Sequence, residues 1–256
     1  MRPATVLRRA GPGYLWRSRA GRCPVCGHRT LFLVVDAQRI RENAWCLWCR
    51  SASRNRHVAA CILDLFADRG LSRLRDLADI ESVSIYNMSA RGCFARVWGK
   101  PAHITYSEYF DGCCSGEVRD GVLCQDVEQL SFDDDSFDLV ISEDVFEHVR
   151  DYRKGLREVW RVLKPGGYHV FSVPLGFGPP TFSRFEGRDG EETPIHPVEV
   201  HGDPIRGEIP VRTSFGYDLV PLLESFGFQV RLEISRYDEA RRYGTFDCAT
   251  FVTRKC

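Results

Sequence analysis

The sequence predicts an α/β fold: a mostly parallel, doubly wound sheet covered by helices, behind a small cysteine-held module at the N-terminus. Three observations carry that prediction. From residue 80 onward, short apolar runs alternate with helical stretches, as in a sheet whose crossovers are helices. Two Cys-x-x-Cys pairs lie near the start of the chain. At 256 residues, with 43% hydrophobic and 27% charged residues, there is material for one full core and a small appendage, and too much apolar surface for disorder.

The charge balance excludes little but biases much. Thirty-five basic residues match 35 acidic ones, so the whole chain has no electrostatic pull toward nucleic acid or membrane. The balance is uneven: the first 56 residues are rich in arginine and hold few acids, whereas the stretch from Asp126 to Asp151 is acidic. The basic start is either an anionic contact or a solvated arm. No run approaches the roughly 18 apolar residues of a membrane span. The opening MRPATVLRRAGPGYLWRSRA has no continuous apolar core of a secretory signal. Eleven cysteines, four of them in two close pairs, favour a reducing cytoplasm with metal-bound thiolates over a disulfide framework. The expected organisation is a basic arm over 1–20, a ribbon over 21–57 and a larger domain over 58–256, with 176–212 as a lid or acceptor loop.

In the ribbon, Cys23, Cys26, Cys46 and Cys49 have the spacing of a four-thiolate zinc site, with nineteen residues between the pairs. Each Cys-x-x-Cys turn supplies two ligands from one tight knuckle, and Pro24 and Gly27 suit the first turn. Leu31 to Val35 is a plausible strand between the knuckles. A redox role would need one pair and leave the second unexplained. A closed four-thiolate site has no open position, so this zinc is expected to be structural. His28 is an alternative ligand beside a set already complete. Ser51, Arg54, Arg56 and His57 form a cationic entry to an apolar helix, Val58–Phe66, and either face a cleft or solvate the helix.

In the larger domain the expected strands are Val83–Tyr86, His103–Ser107, Gly121–Cys124, Phe137–Ser142 and Tyr168–Val173, with Gln229–Ile234 and Ala249–Thr253 as an antiparallel edge. Helices are expected over Asp151–Leu163 and Gly216–Ser225. The clearest stretch is SFDDDSFDLVISEDVFEHVRDYRKGLREVWRVLKPGGYHVFSVP. Acidic turn, buried strand, amphipathic helix, Pro-Gly-Gly turn and second buried strand follow in order. Leu156, Val159, Trp160 and Leu163 recur at helical spacing and should face the sheet. Pro165 is expected to stop the helix, and Gly166-Gly167 to allow a reversal.

This stretch resembles the class I S-adenosylmethionine-dependent methyltransferases, in particular the group with an FD-L-V, EH and R-V-L-K-P-G-G pattern. The likeness covers roughly residues 80 to 175, and the cysteine ribbon and HPVEVHGDP segment are similar to bacterial members with an N-terminal ribbon. It implies a Rossmann-like, seven-stranded sheet with an antiparallel edge strand, and S-adenosylmethionine as cofactor. The cofactor would meet the first loop, Tyr86 to Gly92, where Asn87, Ala90 and Gly92 stand in a loop poorer in glycine than the family's. Arg91 either pairs with the methionine carboxylate or lies in solvent. The resemblance assigns Glu108, with Tyr109 beside it, to the ribose hydroxyls, since an ionised carboxylate can accept from both. It assigns Asp126 and the Val127 amide to the adenine, against a turn-capping role for the aspartate. Ser142 would face the methyl-transfer centre. His148 and Asp144 are weak candidates for a base, and none is required where donor and acceptor are held in line.

The long loop adds His196, Glu199, His201 and Asp203, which either bind a metal, line an acceptor pocket or form a loop network. Gly202 and the prolines at 194, 197 and 204 suggest a shaped lid, with Phe177, Phe182 and Phe185 on its apolar face. The expected function is methyl transfer to a small-molecule, glycan or natural-product acceptor. Its alternatives are a non-catalytic cofactor-binding or scaffold module, and an RNA methyltransferase gripping its substrate with the basic ribbon. A nicotinamide enzyme is disfavoured, because no G-x-G-x-x-G turn follows the first strand.

Overall fold

The structure, a computed structural model, describes residues 18–176, 178–187, 192–203 and 205–256. Most of the basic arm, and Phe177 and Pro204 of the expected lid, lie outside the described residues. The chain divides into two compact units. One holds residues up to Glu81 with Gly92–Ala102 and Glu233–Thr250; the other holds Ser82–Arg91, His103–Leu232 and Phe251–Cys256.

The first unit begins with a three-stranded antiparallel meander of β1 (Arg19–Arg22), β2 (Arg29–Leu33) and β3 (Trp45–Cys46). Its cysteine knuckles are closed by backbone bonds, Gly27 N to Cys23 O at 2.8 Å and Arg50 N to Cys46 O at 2.9 Å. Gly27 has φ +81°, a conformation that costs a residue without Cβ nothing. Helix α1 (Ser53–Leu65) follows, then α2 (Cys93–Trp98). Within the cationic entry to α1, Arg56 turns inward instead of solvating the helix. Arg56 is fully buried. Its guanidinium donates to the carbonyls of Ser51, Ala44, Tyr243 and Gly244 and stacks 4.1 Å above the Phe32 ring. A planar fork with five donors can satisfy four carbonyls at once, and so the charge is buried without an acid. Ser51 Oγ lies 3.4 and 3.2 Å from the Cys23 and Cys49 sulfurs, Arg54 pairs with Glu42, and His57 meets Thr250 Oγ1 at 2.7 Å.

The second unit is built on an eight-stranded sheet. Its strands are β4 (Ile85–Asn87), β5 (Ile104–Glu108), β6 (Val118–Arg119), β7 (Val122–Cys124), β8 (Phe137–Glu143), β9 (Leu163–Ser172), β16 (Phe228–Ile234) and β17 (Ala249–Lys255). The order across the sheet is β16-β17-β9-β8-β4-β5-β7-β6. The inner pairs are parallel, β17 runs antiparallel to β9, and β6 runs antiparallel to β7. The expected seven strands are present, each displaced at its ends by a few residues. The eighth, β6, is added by an Asp120-Gly121 turn. Both turn residues have positive φ (53° and 73°), as a two-residue hairpin of the primed kind requires.

Helix α3 (Tyr152–Val162) is capped by Asp151, whose carboxylate accepts from Lys154 N at 3.0 Å. Leu156, Val159 and Leu163 are buried against Phe171 and Phe251, while Trp160 is half-buried with Lys255 Nζ 4.1 Å above its ring. The helix does not run on to Pro165. Strand β9 already begins at Leu163 and passes through Pro165-Gly166-Gly167, and an irregularity opposite Phe137 and Leu139 absorbs the shift. A Cβ on Gly167 would stand 2.9, 3.1 and 3.2 Å from the carbonyl oxygens of Lys164, Phe137 and Asp138, so the backbone needs glycine there. The last predicted helix, α4, starts at Leu219 and ends at Ser225.

The segment expected as an irregular loop instead contains small ladders. β10 (Phe182–Ser183) pairs with β15 (Thr213–Ser214), β11 (Phe185–Glu186) with β12 (Thr193–Pro194), and β13 (Val200–Asp203) with β14 (Gly207–Pro210). The last hairpin is pinned to the turn after β8: Arg212 N donates to Glu147 O at 2.7 Å.

Candidate active site

Strand order reverses at β4, whose neighbours are β5 on one side and β8 on the other. In an open parallel sheet this is where the carboxyl ends of adjacent strands part and leave a crevice. The first loop at that crevice is shaped by polar bonds in place of glycines. Asn87 is buried and donates through Nδ2 to Ser89 O at 2.7 Å. Tyr86 Oη meets Ser107 Oγ at 2.7 Å. Glu108, at the end of β5, accepts from Ala90 N at 2.9 Å, Arg91 N at 3.1 Å and Ser89 Oγ at 3.4 Å. All three bonds end on Oε1. Burial pushes the Glu108 carboxyl up from its ordinary value against the pull of the two amides, and nearby Asp203 adds to the rise.

Tyr109 is partly exposed, with the Arg206 guanidinium 5.0 Å from its ring centroid. Asp126 holds a turn: its Oδ1 accepts from Glu128 N at 2.9 Å, and its own N–H donates to Ser115 Oγ at 2.8 Å. Val127 is buried and packs where a Cβ on Gly155 would touch it. Ser142 is buried, with its Oγ 2.9 Å from His169 Nε2. Burial lowers that histidine's pKa to about 3. Gly92 belongs to the first unit, where it is the N-cap of α2 with extended backbone.

A second group of side chains gathers beyond the end of β8. Glu147 and His148 lie on the 3-10 turn Phe146–His148, and His201 comes from β13. Glu147 Oε1 is 3.7 Å from His148 Nε2 and 3.6 Å from His201 Nδ1, and those two nitrogens are 3.2 Å apart. Glu147 is fully buried, and neither carboxylate oxygen has a hydrogen-bond partner among the described residues. Burial, with Asp144 adding repulsion, raises its pKa to about 7. Burial lowers the pKa of His148, whereas the Glu147 carboxylate raises that of His201. Asp144 has φ 54° and accepts from Ser172 Oγ at 2.9 Å.

Of the four polar loop residues singled out in the sequence, His201 reaches this group, with Glu199 Oε1 3.6 Å from its Nε2. His196 instead packs at a tilt against Phe182, ring centroids 4.8 Å apart, and Asp203 accepts from Ile205 N and Arg206 N. Sequence reasoning missed Glu147 as a partner of His201. The Glu-His pair was visible, but nothing in spacing relates positions 147 and 201.

In the first unit the Cys23, Cys26, Cys46 and Cys49 sulfurs all lie within 4.8 Å of one another. Cys23 to Cys49 is 3.6 Å and Cys26 to Cys46 is 3.8 Å. Four sulfurs about 2.3 Å from a tetrahedral zinc stand about 3.8 Å apart, so the donor set fits that ion. A disulfide would need about 2.05 Å.

Residues 90–171 match the family model described as a methyltransferase domain. A demethylmenaquinone methyltransferase of Clavibacter sepedonicus is 35% identical over 112 residues, which is 40% of this chain and 42% of that protein. A probable S-adenosylmethionine-dependent methyltransferase of Mycolicibacterium smegmatis is 32% identical over 114 residues, 44% of this chain and 35% of that protein. The chain therefore spans less than half the length of these curated relatives. Among solved structures, an S-adenosylmethionine-dependent methyltransferase from Mesorhizobium loti aligns with 68% of this chain and 91% of its own, with 18% identity and a TM-score of 0.41.

Proposed function

We propose that this chain, whose residues 90–171 match a methyltransferase-domain model, is a class I methyltransferase that binds S-adenosylmethionine in its second unit and transfers the methyl group to a small-molecule, glycan or natural-product acceptor. The observation that carries the proposal is the strand reversal at β4, with Glu108 at the carboxyl end of neighbouring β5 and Asp126 just past the end of β7, one strand further out. Glu108 Oε1 anchors the first loop, and Oε2 would accept from the ribose hydroxyls, with Tyr109 alongside. Asp126 and the Val127 amide would read the adenine edge. Asn87 and Ala90 would set the loop around the methionine part, and Ser142, at the end of β8, would face the methyl-transfer centre. When bound, S-adenosylmethionine supplies an electrophilic methyl group, and the residues around it need only hold the acceptor in line. His148 and Asp144 remain the candidates to take a proton from an acceptor hydroxyl or amine.

The four cysteines would hold one zinc ion that folds the ribbon and takes no part in methyl transfer. A second reading is a non-catalytic module that has kept the fold. It is favoured by one feature: Glu108 already satisfies two loop amides, which closes a loop that other members of the resembled group open with glycines.

The two readings separate on ligand-linked stability and turnover. A ligand at a hundred times its Kd adds about 2.7 kcal/mol to the folded state, which raises the melting temperature by several degrees. S-adenosylhomocysteine is expected to produce that rise. Methyl-labelled S-adenosylmethionine offered with panels of hydroxylated and amino acceptors should then release S-adenosylhomocysteine with at least one of them. A melting temperature that S-adenosylhomocysteine does not move sinks the cofactor assignment. A rise without turnover leaves the module reading.

A further inference from the structure

We infer that Glu147, His148 and His201 form a binding site for one divalent transition-metal ion, with nitrogen and oxygen donors and at least one open coordination position. The inference starts from the direction of the lone pairs. His148 Nδ1 lies 2.8 Å from the Pro210 carbonyl, which can only accept, so Nδ1 carries the proton and Nε2 presents its lone pair. Glu199 Oε1 stands 3.6 Å from His201 Nε2, too far for a hydrogen bond but close enough for its charge to favour a proton there, and with the proton on Nε2 the lone pair is on Nδ1. Those two nitrogens face each other at 3.2 Å, and Glu147 Oε1 faces both. In that tautomer three acceptors converge on one point.

Distances decide whether an ion fits. Atoms separated by 3.2, 3.6 and 3.7 Å lie on a circle of radius about 2.0 Å, so one point is equally close to all three. That radius matches the roughly 2.0–2.2 Å that nitrogen and carboxylate ligands keep from zinc and similar ions. The surroundings fit as well. The Pro210 carbonyl and the Glu199 carboxylate stand behind the two imidazoles, where outer partners fix tautomer and ring orientation in metal sites. A fully buried carboxylate without a single hydrogen-bond donor among the described residues is costly to keep, and a cation supplies what it lacks. Two imidazoles and one carboxylate suit zinc, iron, cobalt or manganese, and three protein ligands leave room for water or an acceptor oxygen.

The site is assembled from two distant stretches. Glu147 and His148 follow β8, and His201 arrives on the β13–β14 hairpin, whose exit strand is tied down through Arg212 N to Glu147 O. The alternative to an ion is a proton: His201 Nδ1–H donating to His148 Nε2, with the pair charged against Glu147. The inference does not depend on the cofactor assignment.

The test is a Co2+ titration of the full chain loaded with a single equivalent of zinc, which the four thiolates take first, without S-adenosylmethionine, followed by visible absorption and calorimetry. With the cysteines already filled by zinc, the parent is expected to take up one further equivalent, giving nitrogen- and oxygen-type d–d bands and no intense thiolate band. His201→Ala, which alters an exposed hairpin, and Glu147→Gln, which keeps the shape, are expected to bind it about tenfold or more weakly. Circular dichroism of the variants checks that both are folded. No uptake by the parent, or equal uptake by parent and folded variants, would overturn the site.

Discussion

His169 is the residue on which burial acts most simply. It is fully enclosed, pairs with Ser142 and stacks on Phe171 at 4.4 Å, and the loss of solvent lowers its pKa from 6.5 to about 3. The folded state thus holds a neutral imidazole where the unfolded chain would be protonated. Its contribution is complete above pH 6.5 and is lost as the pH falls toward 3, because the unfolded state binds the extra proton. Between pH 7 and pH 5 that amounts to about 2 kcal/mol. Urea unfolding of His169→Gln is expected to show a loss of stability over that range smaller by about that amount. Equal pH slopes for variant and parent would mean that the histidine is solvated. Other residues were legible only in part. The place of Glu108 at a strand end was plain in the sequence, but its grip on the first loop was not, because backbone amides leave no mark on composition. Arg56 looked like a surface charge because three of its four carbonyl partners, Ala44, Tyr243 and Gly244, are supplied by segments the helix reading did not connect to it.

At the level of elements, the central strands were legible because β8 is buried along most of its length around Leu139–Ile141 and the last four residues of β9 are buried in a row. The two-residue ladders of the 176–212 segment were not, since two residues cannot carry an alternating pattern. The β6 hairpin was signalled by Asp120-Gly121, a pair that needed to be weighed as a turn. Gly167 supplies the sharpest test of an element boundary. Placing a methyl group against three carbonyl oxygens is expected to cost Gly167→Ala about 1–3 kcal/mol in chemical denaturation. A variant as stable as the parent would mean that β9 can shift its register freely. The knuckles offer a second test. Cys46→Ser is expected to bind about one equivalent of zinc less than the parent, and to cost the meander its protection from hydrogen exchange. Full zinc content in that variant would remove Cys46 from the ligand set.

For the whole molecule, the described residues include no helix long and apolar enough to cross a membrane, and the chain is electrically balanced. Function therefore rests on local chemistry: a strand reversal in one unit, a four-cysteine cluster in the other, and a histidine–carboxylate group past β8. The central claim is that the crevice at β4 binds S-adenosylmethionine through Glu108 and Asp126. Calorimetric titration of the zinc-loaded chain with S-adenosylhomocysteine, beside Glu108→Ala and Asp126→Ala, tests it most directly. One site per chain is expected, with each variant weakening it by about tenfold or more, which is about 1.4 kcal/mol or more. Heat absent from the parent titration, or equal affinity in all three proteins, would contradict it.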